Sequence, residues 1–281
     1  MTMPRTDLAL EAAEVALTAH AKGVEQRRFL SHSFQIDEIR IRTAEAAEAV
    51  GKPVGRYLTM DVTRWRDRGA DAVAGCVAAL GDCLARLLAG RKTTGEALVV
   101  GLGNRLVTPD AVGPRCTDHV IVTRHLLRHD PEQFAGFFPV AALATGVLAA
   151  TGVESGEVVA AVARQIRPGF VIAVDALAAR NAQRLCNTIQ LSDTGIIPGS
   201  GVGNARAALN EQTLGVPVFA VGVPTVVDGG SLTGEEALRG MFVTPKDVDA
   251  LVGDLAKVIG YGINAALQKD MTVAEMEFYL S

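Results

Sequence analysis

Two aspartates stand where an α/β chain places its chemistry. Asp110 lies in Gly101-Leu102-Gly103-Asn104-Arg105-Leu106-Val107-Thr108-Pro109-Asp110, directly after the apolar run Ala97-Leu98-Val99-Val100. Asp175 closes a second apolar run, Phe170-Val171-Ile172-Ala173-Val174. If the two runs are neighbouring strands of a parallel sheet, both carboxylates project from one rim. Two carboxyl groups brought together do not both ionise, so one keeps its proton. The anion can then draw a proton from water attacking a carbonyl carbon, while the neutral acid hydrogen-bonds to the carbonyl oxygen or protonates a leaving amine. The plain alternative is capping, by Asp110 of a helix after Pro109 and by Asp175 of the segment after its strand. Spacing by itself leaves both readings open, because strand-end aspartates occur throughout α/β folds.

A third feature is the loop Ser192-Asp193-Thr194-Gly195-Ile196-Ile197-Pro198-Gly199-Ser200-Gly201-Val202-Gly203-Asn204, after the run Thr188-Ile189-Gln190-Leu191. Its backbone N–H groups could cradle phosphate, yet it matches neither the Walker pattern nor G-x-G-x-x-G. A tight turn against a substrate backbone explains the glycines equally well, with Gly103, Asn104, Ser200 and Gly201 as contact candidates. Asp193 is a reserve site residue, its alternative role being to hold this turn by side-chain-to-backbone bonds. Ser200 lacks the G-x-S-x-G elbow, since position 198 is proline. His125 and His129 share a helical face but lack a third ligand at a recognised spacing, so they read as surface residues and no metal is expected. Cys76, Cys83, Cys116 and Cys186 form no C-x-x-C pair and read as reduced, buried thiols.

Short β-branched runs alternate with Ala-rich amphipathic segments, which predicts an α/β domain with a largely parallel sheet. Helices are expected over 6–22, 70–89, 157–166, 245–267 and 272–280, with Pro245 at a first helical position. Phe34 to Ile41 reads as an edge strand, and 56–62, 97–103, 170–175 and 216–221 as further strands. No linker-like stretch divides the 281 residues, so one domain is expected over the whole length.

A formal net charge of −4 gives no positive field for nucleic acid. Arg64, Arg66 and Arg68, and Gln26-Arg27-Arg28, read as solvated faces. The N-terminus has no basic head followed by an apolar core, so export is not expected. The charge-free run from Phe134 to Val153 is long enough to span a bilayer, but Gly136, Pro139, Gly146 and Gly152 interrupt it, and a buried loop and strand are expected instead.

Several of these motifs together resemble the spore germination protease family, unusual aspartic endopeptidases that degrade small acid-soluble spore proteins. The resemblance runs through Arg5-Thr6-Asp7-Leu8-Ala9, Thr108-Pro109-Asp110-Ala111-Val112-Gly113-Pro114 and Asp175-Ala176-Leu177-Ala178-Ala179-Arg180. It continues through Ser192-Asp193-Thr194-Gly195, Pro198-Gly199-Ser200-Gly201-Val202-Gly203-Asn204 and Gly222-Val223-Pro224-Thr225. It implies an essential pair at Asp110 and Asp175, and a three-layer α/β/α fold with a largely parallel central sheet, similar to hydrogenase-maturation endopeptidases. It also implies homotetramers, action in the forespore or spore core, and no cofactor or required metal. Members of that family lose a short leader before Arg-Thr-Asp-Leu-Ala, whereas Met1 to Pro4 alone precede Arg5 here; the expectation is a near-mature form or a member not controlled by that cleavage. Two alternatives stay in view: a nucleotide-binding α/β oxidoreductase using residues 199–204, and a non-catalytic relative that binds spore proteins.

Overall fold

The computed structural model describes residues 6–18, 22–63, 65, 69–91 and 93–281. Arg64, Arg66 and Arg68, and the predicted tail of the first helix over 19–21, lie outside the described residues. Among the described residues, nine strands form one sheet: β1 (Val24–Ser31), β2 (Phe34–Ile41), β3 (Gly55–Asp61), β4 (Ala97–Gly101), β5 (Val140–Ala144), β6 (Phe170–Ala179), β7 (Thr188–Ser192), β8 (Val218–Asp228) and β9 (Phe242–Val243). Their order is β1-β2-β3-β7-β8-β6-β4-β5, with β9 paired to β8. β8, β6, β4 and β5 are mutually parallel, and β1, β2, β3 and β7 extend the sheet as an antiparallel wing.

The parallel strands are continuous apolar runs because helices cover both faces. Alternation along β6 sends Phe170, Ile172 and Val174 toward the Ala70–Ala89 and Val248–Leu267 helices, and Val171 and Ala173 toward the Ser155–Ile166 helix. Over the wing, Ala9, Leu10 and Ala13 of the Ala9–Thr18 helix pack on Ile39, Ile41 and Tyr57. The result is helix, sheet and helix in three layers, as the resemblance implied. Asp71–Ala89 and Val248–Leu267 are long and apolar enough to cross a membrane, and here they pack against each other as core helices. Cys76 and Cys83 lie buried on the first of them, where burial pushes both thiols up to about 12.

Three elements differ from expectation. β2 is not an edge strand, because β1 folds back on it through His32 and Ser33, which adopt φ of 47° and 68° without a glycine to signal the turn. The Val248–Leu267 helix begins after Asp247, which occupies the N-cap position without a side-chain bond, so Pro245 precedes the helix instead of opening it. The first helix begins at Ala9, because Asp7 ahead of it pairs with β6: the Asp7 N–H donates to the Ala178 carbonyl at 2.9 Å. The run from Phe134 to Val153 holds a turn, β5 and the short helix Leu148–Thr151.

The Val248–Leu267 helix also suspends residues 119–138 by side-chain amides. Asn264 Oδ1 accepts the Ile121 N–H at 2.9 Å and its Nδ2 donates to the His119 carbonyl at 2.8 Å; beyond the helix, Gln268 bonds both backbone groups of Phe138. Asn264 is 2% exposed, so water cannot replace it. Asn264→Ala is expected to lower unfolding free energy by about 2–3 kcal/mol, read as a shift in urea midpoint at neutral pH; an unmoved midpoint would mean the amide pairing contributes nothing net.

Candidate active site

The site begins where β4 stops. Gly101 pairs with Val174, and Leu102 makes the last contact, its N–H donating to the Val174 carbonyl at 2.8 Å. β6 does not stop there: it continues to Ala179 beside β8, so Asp175 lies within the strand and does not end it. Past Leu102 the β4 side of β6 has lost its neighbour, and its amides need new acceptors. Carboxylates supply them. Ala176 N–H donates to Asp175 Oδ1 at 2.9 Å, and Ala178 N–H donates to Asp7 Oδ2 at 2.9 Å.

Asp110 is brought onto the same rim by close backbone packing. A Cβ on Gly101 would lie 2.3 Å from the Gly113 carbonyl oxygen, and one on Gly113 would lie 2.4 Å from that of Val174, so the loop rests directly on the strand ends. Asp110 closes the 3-10 turn Thr108–Asp110, and its Oδ2 accepts the Asn104 N–H at 2.8 Å. It does not cap the following helix, Val112–Cys116, whose N-cap is Ala111. Thr225 fixes the turn from below. The β6–β8 register slips between Leu177 and Ala178, passing over Thr225, and this turned-out residue donates its hydroxyl to the Pro109 carbonyl at 2.6 Å.

Asp7, Asp110 and Asp175 line one cavity of about 600 Å³, walled by apolar side chains that include Val107, Leu148, Val202 and Phe242. Asp175 is 5% exposed and its carboxyl is pushed well above the usual range, by burial first and then by the Asp110 charge; the Ala176 N–H lowers it, and the Asp7 charge adds a lesser push upward. Burial also raises Asp110, and the Asn104 N–H opposes that rise. The deeper carboxyl therefore holds a proton more tightly than the shallower one.

The glycine loop reaches this cavity by an unexpected route. β7 runs antiparallel to β8, so its carboxyl end faces the rim opposite Asp175, and Asp193 is placed there. Asp193 Oδ1 accepts the Arg56 N–H at 2.8 Å, tying the loop to β3 and not to its own turn. The chain then returns: Gly199, Val202 and Asn204 line the cavity, and the Ser200 hydroxyl donates to Asp7 Oδ1 at 2.6 Å. Gly201 packs on the same carboxylate, where a Cβ would lie 2.0 Å from Asp7 Oδ2. Gly103 lies beneath Asp110, and the Asn104 side chain accepts the Leu106 N–H. His125 and His129 are exposed on the Arg124–His129 helix, and among the described residues no group of three or more His, Cys, Asp or Glu is placed to hold a metal ion. Asp7 and Thr225 were not singled out by sequence. An aspartate ahead of an Ala-rich helix and a threonine in a strand carry no local mark of partners far along the chain.

The burial of Asp175 has a stability consequence. Its folded value is raised, so the stability it allows is complete below the ordinary carboxylate range and is lost as pH rises through the folded value. Asp175→Asn keeps the oxygen that accepts the Ala176 N–H but never ionises. At neutral pH the variant is expected to melt roughly 2 °C or more above wild type, with the gain vanishing near pH 4; a lower melting point at neutral pH would contradict this account of the carboxyl.

The germination protease family model matches residues 6–239. A germination protease of Caldanaerobacter subterraneus subsp. tengcongensis is 38% identical over 97% of this chain and 96% of its own length. One from Clostridium perfringens is 36% identical over 99% of both chains, and one from Priestia megaterium is 41% identical over 82% of this chain and 65% of its own. With the match running through the Asp110 loop, β6 and the glycine loop, the chain belongs to the germination protease family.

Proposed function

We propose that the chain is an endopeptidase that hydrolyses small acid-soluble spore proteins during germination, using Asp110 and Asp175 as a carboxylate pair that activates water. The observation that carries this reading is the buried Asp175 carboxyl in the wall of a cavity it shares with Asp110. Asp175, held protonated by burial and by its acidic neighbours, hydrogen-bonds to the scissile carbonyl oxygen and later supplies a proton to the leaving amine. Asp110, less raised, is the anion that takes a proton as water oxygen bonds to the carbonyl carbon and the C–N bond then breaks. The apolar walls of the cavity suit an extended, largely uncharged stretch of polypeptide and keep competing water away.

The spore proteins as substrates, the spore core as the place of action and a homotetramer as the assembly enter this proposal through the family resemblance and not through the geometry of the site. The nucleotide-binding alternative is disfavoured at the loop itself, because the anion against Ser200 and Gly201 is the protein's own Asp7 carboxylate. Phosphate entering there would meet like charge. Asp193, bonded to Arg56 on the far rim, fits a role in holding the loop to β3.

The test is cleavage of a purified small acid-soluble spore protein by wild type, Asp110→Asn and Asp175→Asn, with folding followed by circular dichroism. Both folded variants are expected to lose kcat/KM by roughly a thousandfold or more. Wild type should give a bell-shaped profile: activity falls at low pH as the pair gains a second proton and at high pH as it loses the shared one. Both limbs should lie above those of ordinary carboxylates, because both groups are raised. Near-normal cleavage by either folded variant would remove the pair from the mechanism, and a binding-only relative would show no cleavage by wild type at all.

A further inference from the structure

Asp7 sits where three separated parts of the chain meet. Its backbone N–H donates to the Ala178 carbonyl and its Oδ2 accepts the Ala178 N–H, both at 2.9 Å, so it takes up the β6 edge that β4 leaves bare. Its Oδ1 accepts the Ser200 hydroxyl at 2.6 Å, and Gly201 presses on its Oδ2 so closely that any side chain would collide. Its carbonyl accepts Gln190 Nε2 from β7 at 3.1 Å, while Gln190 Oε1 accepts the Ala9 N–H at 2.6 Å. A residue needed only to start the Ala9–Thr18 helix would bond within that helix. The Asp7 carboxylate instead points away, onto the wall of the 600 Å³ cavity.

We infer that Asp7 is a positioning residue of the catalytic centre: its carboxylate clamps the Ser200–Gly201 loop to β6 and adds a negative charge on the cavity wall that faces Asp175. The inference rests on the reading of that pair as catalytic. Among the described residues, the charged groups around the site are few. Asp175 is faced by Asp110 from the Thr108–Asp110 turn and by Asp7 from the N-terminal segment. Behind Asp7, Lys52 enters a second cavity of about 170 Å³ that shares Asp7 and Leu177 with the first. Burial pushes its amine down, and the Asp7 charge partly restores it. At the mouth, Arg206 is paired with Glu154 at 3.0 Å. Of these groups Asp7 alone joins the loop, the strand edge and the field at Asp175.

The roles of clamp and charge separate in two variants. Asp7→Asn removes the charge, and the Asp175 carboxyl, followed by 13C NMR of aspartate-labelled protein and assigned by its loss in Asp175→Asn, is expected to titrate at lower pH than in wild type. The alkaline limb of kcat/KM should move in the same direction, so that the rate falls where wild type is half active. Ser200→Ala keeps the charge and frees the loop: KM should rise, amides of residues 199–204 should exchange faster, and the Asp175 titration should stay in place. A folded Asp7→Asn whose Asp175 titrates as in wild type, with a lowered melting point as its one defect, overturns the inference and leaves Asp7 a structural residue. If Asp7→Asn does not fold, Ser200→Ala decides the matter, since unchanged exchange at residues 199–204 overturns the clamp. The titration and exchange measurements need no turnover, so failure of the catalytic pair, read from Asp110→Asn and Asp175→Asn, is distinguishable from failure of Asp7.

Discussion

A buried backbone amide must have an acceptor, and in this protein the requirement is sharpest along β6 after β4 ends. Up to Val174 the edge is satisfied by its parallel neighbour. Beyond it, the amides of Ala176 and Ala178 are met by the carboxylates of Asp175 and Asp7. A neutral amide oxygen would satisfy either N–H just as well. Carboxylates in this place add charge to a region with little water, and Asp175 bears the largest burial. The arrangement thus trades local stability for a proton-holding group, which is the usual relation between an active site and its scaffold.

Glycines and one register slip make the trade geometrically feasible. Gly101 and Gly113 let the loop bearing Asp110 lie within backbone contact of β6, where no side chain would fit. The slip at Leu177–Ala178 turns Thr225 out of the ladder, and its hydroxyl fixes Pro109 one residue from Asp110. An unbroken β6–β8 pair would have kept Thr225 in register and left the 3-10 turn without this support. The placement of Asp110 thus depends on an irregularity in two other strands.

That dependence decides what the sequence could reveal. Asp110 and Asp175 were legible because each follows a β-branched run, and strand runs in an α/β chain order themselves into a parallel core. The helices Ala70–Ala89 and Val248–Leu267 were legible from their 3.6-residue period and length. β1 was not, because Val24–Ser31 is an exposed edge rich in charge and its turn at His32–Ser33 lacks the glycine or asparagine that such dihedrals favour. The rim of Asp193 was not legible, because strand direction is not written locally: Thr188–Ser192 reads the same whether it runs with β8 or against it. Asp7 carried no local signal either, its partners Ala178, Gln190 and Ser200 lying far along the chain.

Burial raises the carboxyl pair, and the placing of the nearby cations leaves it raised. A guanidinium beside Asp175 would favour its ionised form and abolish the difference between the two carboxyls. Among the described residues, the basic groups near the cavity lie away from the pair: Arg206 is paired with Glu154 at the mouth, and Lys52 lines the second cavity, behind Asp7. Among the described residues, the influences on Asp175 are accordingly burial, two negative charges and one amide, with no cation among them. Asp7 contributes to this in two ways, since its charge adds to the negative field while its position stands between Lys52 and the pair. A site built on shared protons needs its positive charges kept at a distance as much as it needs its acids close, and this fold achieves both by feeding the N-terminal segment between the sheet edge and the glycine loop.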